Sequence, residues 1–271
     1  MPVSKQQLMP STEKLLMTIN DLEKYFDSFL KPVDFGGDIS MNGLQIQNSN
    51  PSEKQIKKIA FAVDACEETA LKASAFGCDA LFVHHGLFWG HSEKITGSVY
   101  KRISAFIKND LALFAYHAPL DANNPYGNNY GMAQRIGLTD TEPFGFWRGM
   151  PMGVKGKLNS TLTLNEIAEK VLRPGKKPNT ILPFGKEKIS TVGIISGGGS
   201  EDIETAVAEG LDCFITGDFA HEQFHYAKEN EINVIGGGHY ETETVGVSLV
   251  MKKVADDLGI ETVFIESETG L

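Results

Sequence analysis

Cysteine is scarce. Cys66, Cys78 and Cys213 are the only three in 271 residues, odd in number and without a Cys-x-x-Cys spacing. That argues against a disulfide framework and for a reducing compartment, and the three thiols read as small buried hydrophobes. Positive charge is also short, with 25 Lys and Arg against 35 Asp and Glu and a formal net charge of -10. The electrostatic footprint of a nucleic-acid partner is therefore missing. Nowhere do eighteen uncharged apolar residues run together, and Met1 to Glu13, with scattered charges, Pro2 and Pro10, has no apolar leader core. These absences predict a cytoplasmic protein with no membrane partner. The hydrophobic content of 41% over this length suffices for a sizeable core and for two domains of ordinary size.

What is present is an alternation of short apolar runs and helix-compatible stretches. Ile59 to Val63 is followed by Glu67 to Phe76, a capping Gly77, and Ala80 to Val83, which is a βαβ signature. Val192 to Ile195, Ile203 to Glu209, Gly210 and Cys213 to Thr216 repeat that order. Ile59 and Val192, Gly77 and Gly210, and Asp79 and Asp212 all stand 133 residues apart. A tandem duplication explains the match, with a longer loop, Gly86 to Val99, in the first copy. The expected fold is α/β, two similar α/β domains from a tandem duplication. The expected domains are residues 1–140 and 141–271, because Thr139 to Gly156 is rich in Pro, Gly and aromatics and breaks any periodicity. Thr163 and Glu166 form a capping box for a helix from Leu164. Leu22, Tyr25, Phe26, Phe29 and Leu30 recur at helical spacing as a core-facing stripe.

The chemistry-bearing residues fall after the apolar runs. His117 and Asp121, like His239 and Glu243, place a carboxylate four residues after a histidine, and His84-His85 closes a third run. Imidazole with carboxylate is the ligand set of borderline divalent metals, and carboxyl ends of strands are where open α/β sheets bind ligands. Neighbouring strand residues face opposite ways. Either the strand ends at Val83 and the histidine pair turns outward, or each imidazole serves a different metal. His84, His85, Asp121, His239 and Glu243 suit two adjacent metals bridged by a carboxylate and water, an arrangement suited to hydrolysis. His117, four residues before Asp121, reads as a ligand, as a support for the ligands or as an acid-base residue, with the last two ranked first. Ser196-Gly197-Gly198-Gly199 reads as a tight strand-to-helix turn or as a receiver of phosphate. His221-Glu222-Gln223-Phe224-His225 matches the zinc metallopeptidase motif, with Glu243 as a third ligand, but that leaves His84-His85 unexplained.

Longer strings surround these residues: Asn42-Gly43-Leu44-Gln45, Val83 to Trp89, His117 to Asp121 with Gly127-Asn128-Asn129, Ser196 to Gly199, Phe214 to Asp218, and Gly238 to Glu243. In that order, from about Ile19 to Ile265, they closely resemble the NIF-three-like family, the GTP cyclohydrolase I type 2 homologues. The family's short form, without an inserted domain between the halves, is the one that this chain resembles. The resemblance implies a two-domain α/β protomer, a dinuclear metal site at the domain interface on His84, His85, Asp121, His239 and Glu243, and a toroidal homohexamer. The dinuclear centre means two divalent ions per chain, and the mixed imidazole and carboxylate ligand set admits zinc or iron first, then manganese, with nickel or cobalt as further candidates. The resemblance also implies a small-molecule substrate, GTP or another nucleotide, whose guanine imidazole ring is attacked at C8 by activated water and opened with release of formate. The competing expectations are a metal-containing toroidal scaffold or metal-handling protein without catalysis, and a dinuclear phosphoesterase or amidohydrolase on another nucleotide-like substrate.

Overall fold

Two twisted sheets meet at the carboxyl ends of their parallel strands. The computed structural model describes residues 16–271, so Met1 to Glu13 lie outside the described residues. In chain order the first half runs α1 (Ile19–Leu30), β1 (Gly43–Ile46), β2 (Lys58–Asp64), α2 (Glu67–Ala75), β3 (Ala80–His85), α3 (Gly97–Lys108), β4 (Ala112–Ala115), α4 (Ala118–Ala122) and α5 (Asn128–Ile136). The second runs β5 (Leu138–Trp147), β6 (Met150–Leu162), α6 (Leu164–Val171), β7 (Thr180–Leu182), β8 (Ile189–Ile195), α7 (Ile203–Ala208), β9 (Cys213–Thr216), α8 (Gln223–Glu229), β10 (Asn233–Gly236), α9 (His239–Leu258) and β11 (Glu261–Phe264). The first sheet has the order β1-β4-β3-β2-β11, and the second β5-β6-β8-β9-β10-β7.

The strands β2, β3 and β4 are parallel, as are β8, β9 and β10. Both triplets are continuous apolar runs because helices cover both faces. Phe61, Phe82 and Phe114 point into one core with Ile19, Leu22, Phe26 and Leu30 of α1. Ala60, Ala62, Leu81 and Val83 point the other way, toward Ala70 and Ala73 of α2 and Phe106 of α3. Each buried aromatic contributes roughly 1.5–3 kcal/mol over an exposed one. The expected stripe on α1 is thus divided: Leu22, Phe26 and Leu30 are buried, whereas Tyr25 and Phe29 are partly buried and lie beside the Lys253 ammonium. The α/β class expected from the sequence is what the fold shows. Gly77 and Gly210, at corresponding places after α2 and α7, both adopt left-handed backbone, with φ of 69° and 68°. This correspondence is compatible with a duplication.

Two features depart from the sequence reading. Thr139 to Gly156 is not an irregular linker but most of a long hairpin, β5 with β6, turning at Arg148 and Gly149, both with positive φ. Most of β5 is exposed, so no inward alternation marks it. Residue 140, the expected division, falls inside that strand, and β11 returns to pair with β2 of the first sheet. The sheets therefore do not map onto two continuous halves. Helix α9 joins them: Val245 packs in the core under the second sheet, while Val247, Val250, Val254 and Leu258 pack under the first.

Candidate metal centre

The site is assembled by residues at or just after the carboxyl ends of parallel strands from both sheets. Asp64 ends β2, His84 and His85 end β3, and Tyr116 and His117 follow β4. From the second sheet come Ser196 and Gly197 after β8 and Asp218 after β9, while His239 and Glu243 lie one helical turn apart at the start of α9. Asp121 comes from α4, and Asn128 and Asn129 from the first turn of α5.

Each imidazole is oriented by a bond at Nδ1. That of His84 donates to the Tyr116 carbonyl at 3.1 Å, His85 meets Asp64 Oδ1 at 2.9 Å, and His239 meets Asp218 Oδ2 at 2.6 Å. The Nε2 atoms then converge on one buried carboxylate. His84 Nε2 lies 3.4 Å and His239 Nε2 3.2 Å from Glu243 Oε1, and His85 Nε2 lies 3.4 Å from Glu243 Oε2. Asp121 is held by Asn128 Nδ2 at 2.9 Å and Ser196 Oγ at 2.8 Å, both on Oδ1, and its Oδ2 lies 3.6 Å from His84 Nε2. Imidazoles fixed at one nitrogen by a carboxylate or carbonyl, with the other aimed inward, are the usual support of a metal ligand set.

β3 continues through His85, which pairs in register with Asp64, yet the two rings lie with centroids 4.5 Å apart. The neighbouring histidines reach different oxygens of Glu243, which favours the alternative of two positions over an outward turn at Val83.

Burial works against the charged form of His84, but Asp121 and Glu243 outweigh it and hold its pKa up at about 9. The Glu243 carboxylate, opposed by burial and helped by Asp218, does the same for His239, to about 10. Burial would raise Glu243, yet the surrounding imidazoles hold it well below the usual carboxylate range. The pocket thus demands positive charge at its centre. Two buried atoms there, His84 Nε2 and Glu243 Oε2, have no hydrogen-bond partner among the described residues. Buried polar groups are seldom left unpaired, and a cation satisfies both. Three groups of ligand atoms lie within 4.8 Å of one another: His84 with Asp121 and Glu243, His85 with His239 and Glu243, and His84 with His85 and His117. The residues therefore fit a metal ion, and the first two groups share Glu243.

All six sequence-derived residues come together, His84, His85, His117, Asp121, His239 and Glu243. His117 Nδ1 is tied to Asp38 at 3.1 Å, its backbone N–H donates to Asn42 Oδ1 at 2.7 Å, and Asn42 Nδ2 in turn donates to Asp38 Oδ2 at 2.9 Å. Burial would raise the Asp38 carboxyl, but His117 and Asn42 hold it down at about 2. His221 and His225 are exposed, the former in a turn before α8, and neither joins a ligand group among the described residues. The peptidase pattern is thus a chance match. Gly197 of the Ser196-Gly197-Gly198-Gly199 turn donates its N–H to Thr242 Oγ1 at 3.1 Å, and α7 beyond it has only six residues. Gly197 acts as a spacer beside Glu243, and no phosphate role is required to explain it.

The sequence reading missed Asp38 and Asp64, met Asp218, Asn42 and Asn128 in motifs without giving them an orienting role, and read Ser196 only as part of a turn or a phosphate receiver. Their signal was positional, since Asp64 and Asp218 each close an apolar run as His85 does.

A cavity of about 280 Å³ opens on this cluster and is also lined by Phe146, Trp147, Met152, Ile195 and Asp202. Among the described residues no helix is long and apolar enough to cross a membrane.

Comparison with known proteins agrees with the motif resemblance. Residues 17–270 match the model of the Duf34/NIF3 (NGG1p interacting factor 3) family. A Treponema pallidum protein named GTP cyclohydrolase 1 type 2 homolog is 41% identical, over 94% of this chain and 100% of its own length. An Archaeoglobus fulgidus protein of the same name is 40% identical over the same shares. The crystal structure of TTHA1606 from Thermus thermophilus superposes with a TM-score of 0.84 at 33% identity, covering 94% of this chain and 100% of that one. The chain therefore belongs to the Duf34/NIF3 family.

Proposed function

We propose that this protein is a hydrolase dependent on two divalent metal ions per chain, acting on a purine nucleotide, with GTP as the substrate and opening of its imidazole ring as the reaction. The observation that carries the metal part is the pair of unpartnered buried atoms, His84 Nε2 and Glu243 Oε2, inside a ring of oriented ligands. His84 and Asp121 with Glu243 would hold one ion, and His85 and His239 with Glu243 would hold the other, zinc or iron first. Such a pair lowers the pKa of water and neutralises charge developing on oxygen. The shared name of the Treponema and Archaeoglobus relatives supports GTP.

The protein's own groups do the rest. His117, with Nδ1 fixed on Asp38, keeps Nε2 for proton transfer: it takes a proton from water attacking C8 and returns it to the departing ring nitrogen. One water opens the ring to a formamide, and a second hydrolyses that formamide to formate. Trp147, whose ring centroid is 6.2 Å from that of His117, and Phe146 wall the cavity and limit bulk water. A toroidal homohexamer in the cytoplasm completes the proposal.

The test is elemental mass spectrometry on protein purified without chelator or added histidines, followed by formate release from GTP and native mass spectrometry. About two metals per chain, lost in Glu243→Ala and kept in His221→Ala, with formate formed only by the metal-loaded protein, is the expected result. Metal retained in Glu243→Ala would overturn the site, and metal without formate would leave a metal-holding scaffold.

A further inference from the structure

The geometry points to Asp202 as the residue that selects a guanine-type base, by accepting two parallel N–H bonds from the ring edge that carries N1–H and the exocyclic amine. This inference rests on the purine-nucleotide reading above and deepens it. Asp202 lines the same cavity as His117, Asp121 and Glu243, beside Phe146 and Trp147. It ends a 3-10 turn, Ser200–Asp202, that runs directly into α7 with helical backbone, so its side chain is not engaged in capping that helix. Among the described residues its carboxylate has no hydrogen-bond or ion-pair partner, although it is only partly accessible.

The backbone opposite makes room for it. A Cβ on Gly145 would meet Ile195 Cδ1 first and would also stand 2.9 Å from Asp202 Oδ1, and Gly145 has a φ of 62°, so glycine suits that place in β5 and leaves both side chains their space. Burial, reinforced by Glu201, pushes the Asp202 carboxyl up to about 6. An unpaired carboxylate on the wall of a cleft is a group waiting for donors.

The donor pattern identifies the base. A carboxylate only accepts, and its two oxygens match two neighbouring N–H groups side by side. Guanine offers N1–H and its amine in that arrangement, hypoxanthine offers one, and adenine sets an acceptor at N1. With C8 turned toward the histidines, this edge lies at the far end of the purine, where Asp202 and the aromatic wall receive it. Xanthine replaces the amine by a carbonyl, which Asp202 repels and an asparagine amide would welcome.

The experiment compares metal-loaded wild type and Asp202→Asn, measuring binding of GTP, ITP, ATP and XTP by calorimetry beside formate release and metal content. Wild type is expected to prefer GTP over ITP and ATP. In Asp202→Asn, with metal content unchanged, GTP should bind roughly tenfold to a hundredfold more weakly while XTP gains. Formate release from GTP by both proteins with unchanged nucleotide preference would overturn the role of Asp202 and leave the hydrolase reading standing. Binding of no purine nucleotide by metal-loaded wild type would overturn both.

Discussion

A side chain on Gly197 would collide with Glu243. An added Cβ would press on Glu243 Oε1 and lie 3.2 Å from His239 Nε2, and Gly197 has a φ of 61°. The glycine turn after β8 thus sets the space in which the shared carboxylate meets its imidazoles. Gly197→Ala should retain its fold and lose most of its metal. Gly210→Ala is the control, because Gly210 has nearly the same backbone, φ 68°, but open space beyond it. Both substitutions carry about 1–2 kcal/mol of left-handed strain. Elemental analysis showing equal metal loss in the two would indicate strain alone and refute the spacer role.

The carboxylates behind the histidines carry a second expectation. Asp64 and Asp218 touch Nδ1 of His85 and His239 and belong to no ligand group among the described residues. Asp64→Asn and Asp218→Asn should each weaken metal binding by roughly 10- to 100-fold, since supporting partners of ligating histidines have effects of that size. Competition with a chelator of known affinity measures this. Unchanged affinity in both variants would show that the rings are oriented by packing alone.

The ligands were legible in the sequence because they cluster at a repeated place, the end of an apolar run. His239 and Glu243 needed only helical spacing, and Thr163 with Glu166 caps α6 as its pattern predicts. The hairpin of β5 and β6 was hidden because an exposed strand has no buried face to impose a period of two. The pairing of β11 with β2 was hidden for another reason. Glu261 to Phe264 is only four residues long, with Glu261 exposed and Thr262 polar, too short to show a period, and the path of α9 across both cores brings it to the first sheet. Asp38 escaped notice because its partner His117 lies 79 residues away and no local pattern joins them.

The junction between the sheets depends on a close helix crossing. A Cβ on Gly246 of α9 would lie 2.9 Å from Asn128 N and 3.0 Å from Leu120 Cγ, and the Gly246 N–H donates to Asn128 Oδ1 at 2.7 Å. Gly246→Ala should therefore destabilise the protein by about 1–3 kcal/mol, the range for overpacking a filled core. Because Asn128 also donates to Asp121, metal affinity should fall with stability. A Gly246→Ala protein with wild-type denaturant midpoint and metal content would show that the crossing relaxes freely.

Asp202 yields a prediction that involves no substrate. Its carboxyl titrates at about 6 in the fold, against the ordinary 3.8, because burial disfavours its charge. The folded chain thus holds this proton more tightly than the unfolded chain does. Well below pH 3.8 both states are protonated and Asp202 costs nothing. As pH rises from 3.8 through about 6 the unfolded state loses the proton first, so stability falls, and above that the full penalty remains. Two units of separation correspond to about 3 kcal/mol, an upper figure given partial access to water. Asp202→Asn should accordingly raise the thermal midpoint by a few degrees at about pH 7.5 and by almost nothing at about pH 3. Melting curves across that range decide the matter. A variant less stable at the higher pH, or one whose gain is the same at both pH values, would mean that the carboxylate is already satisfied, and its place as an empty acceptor on the cavity wall would fall with it.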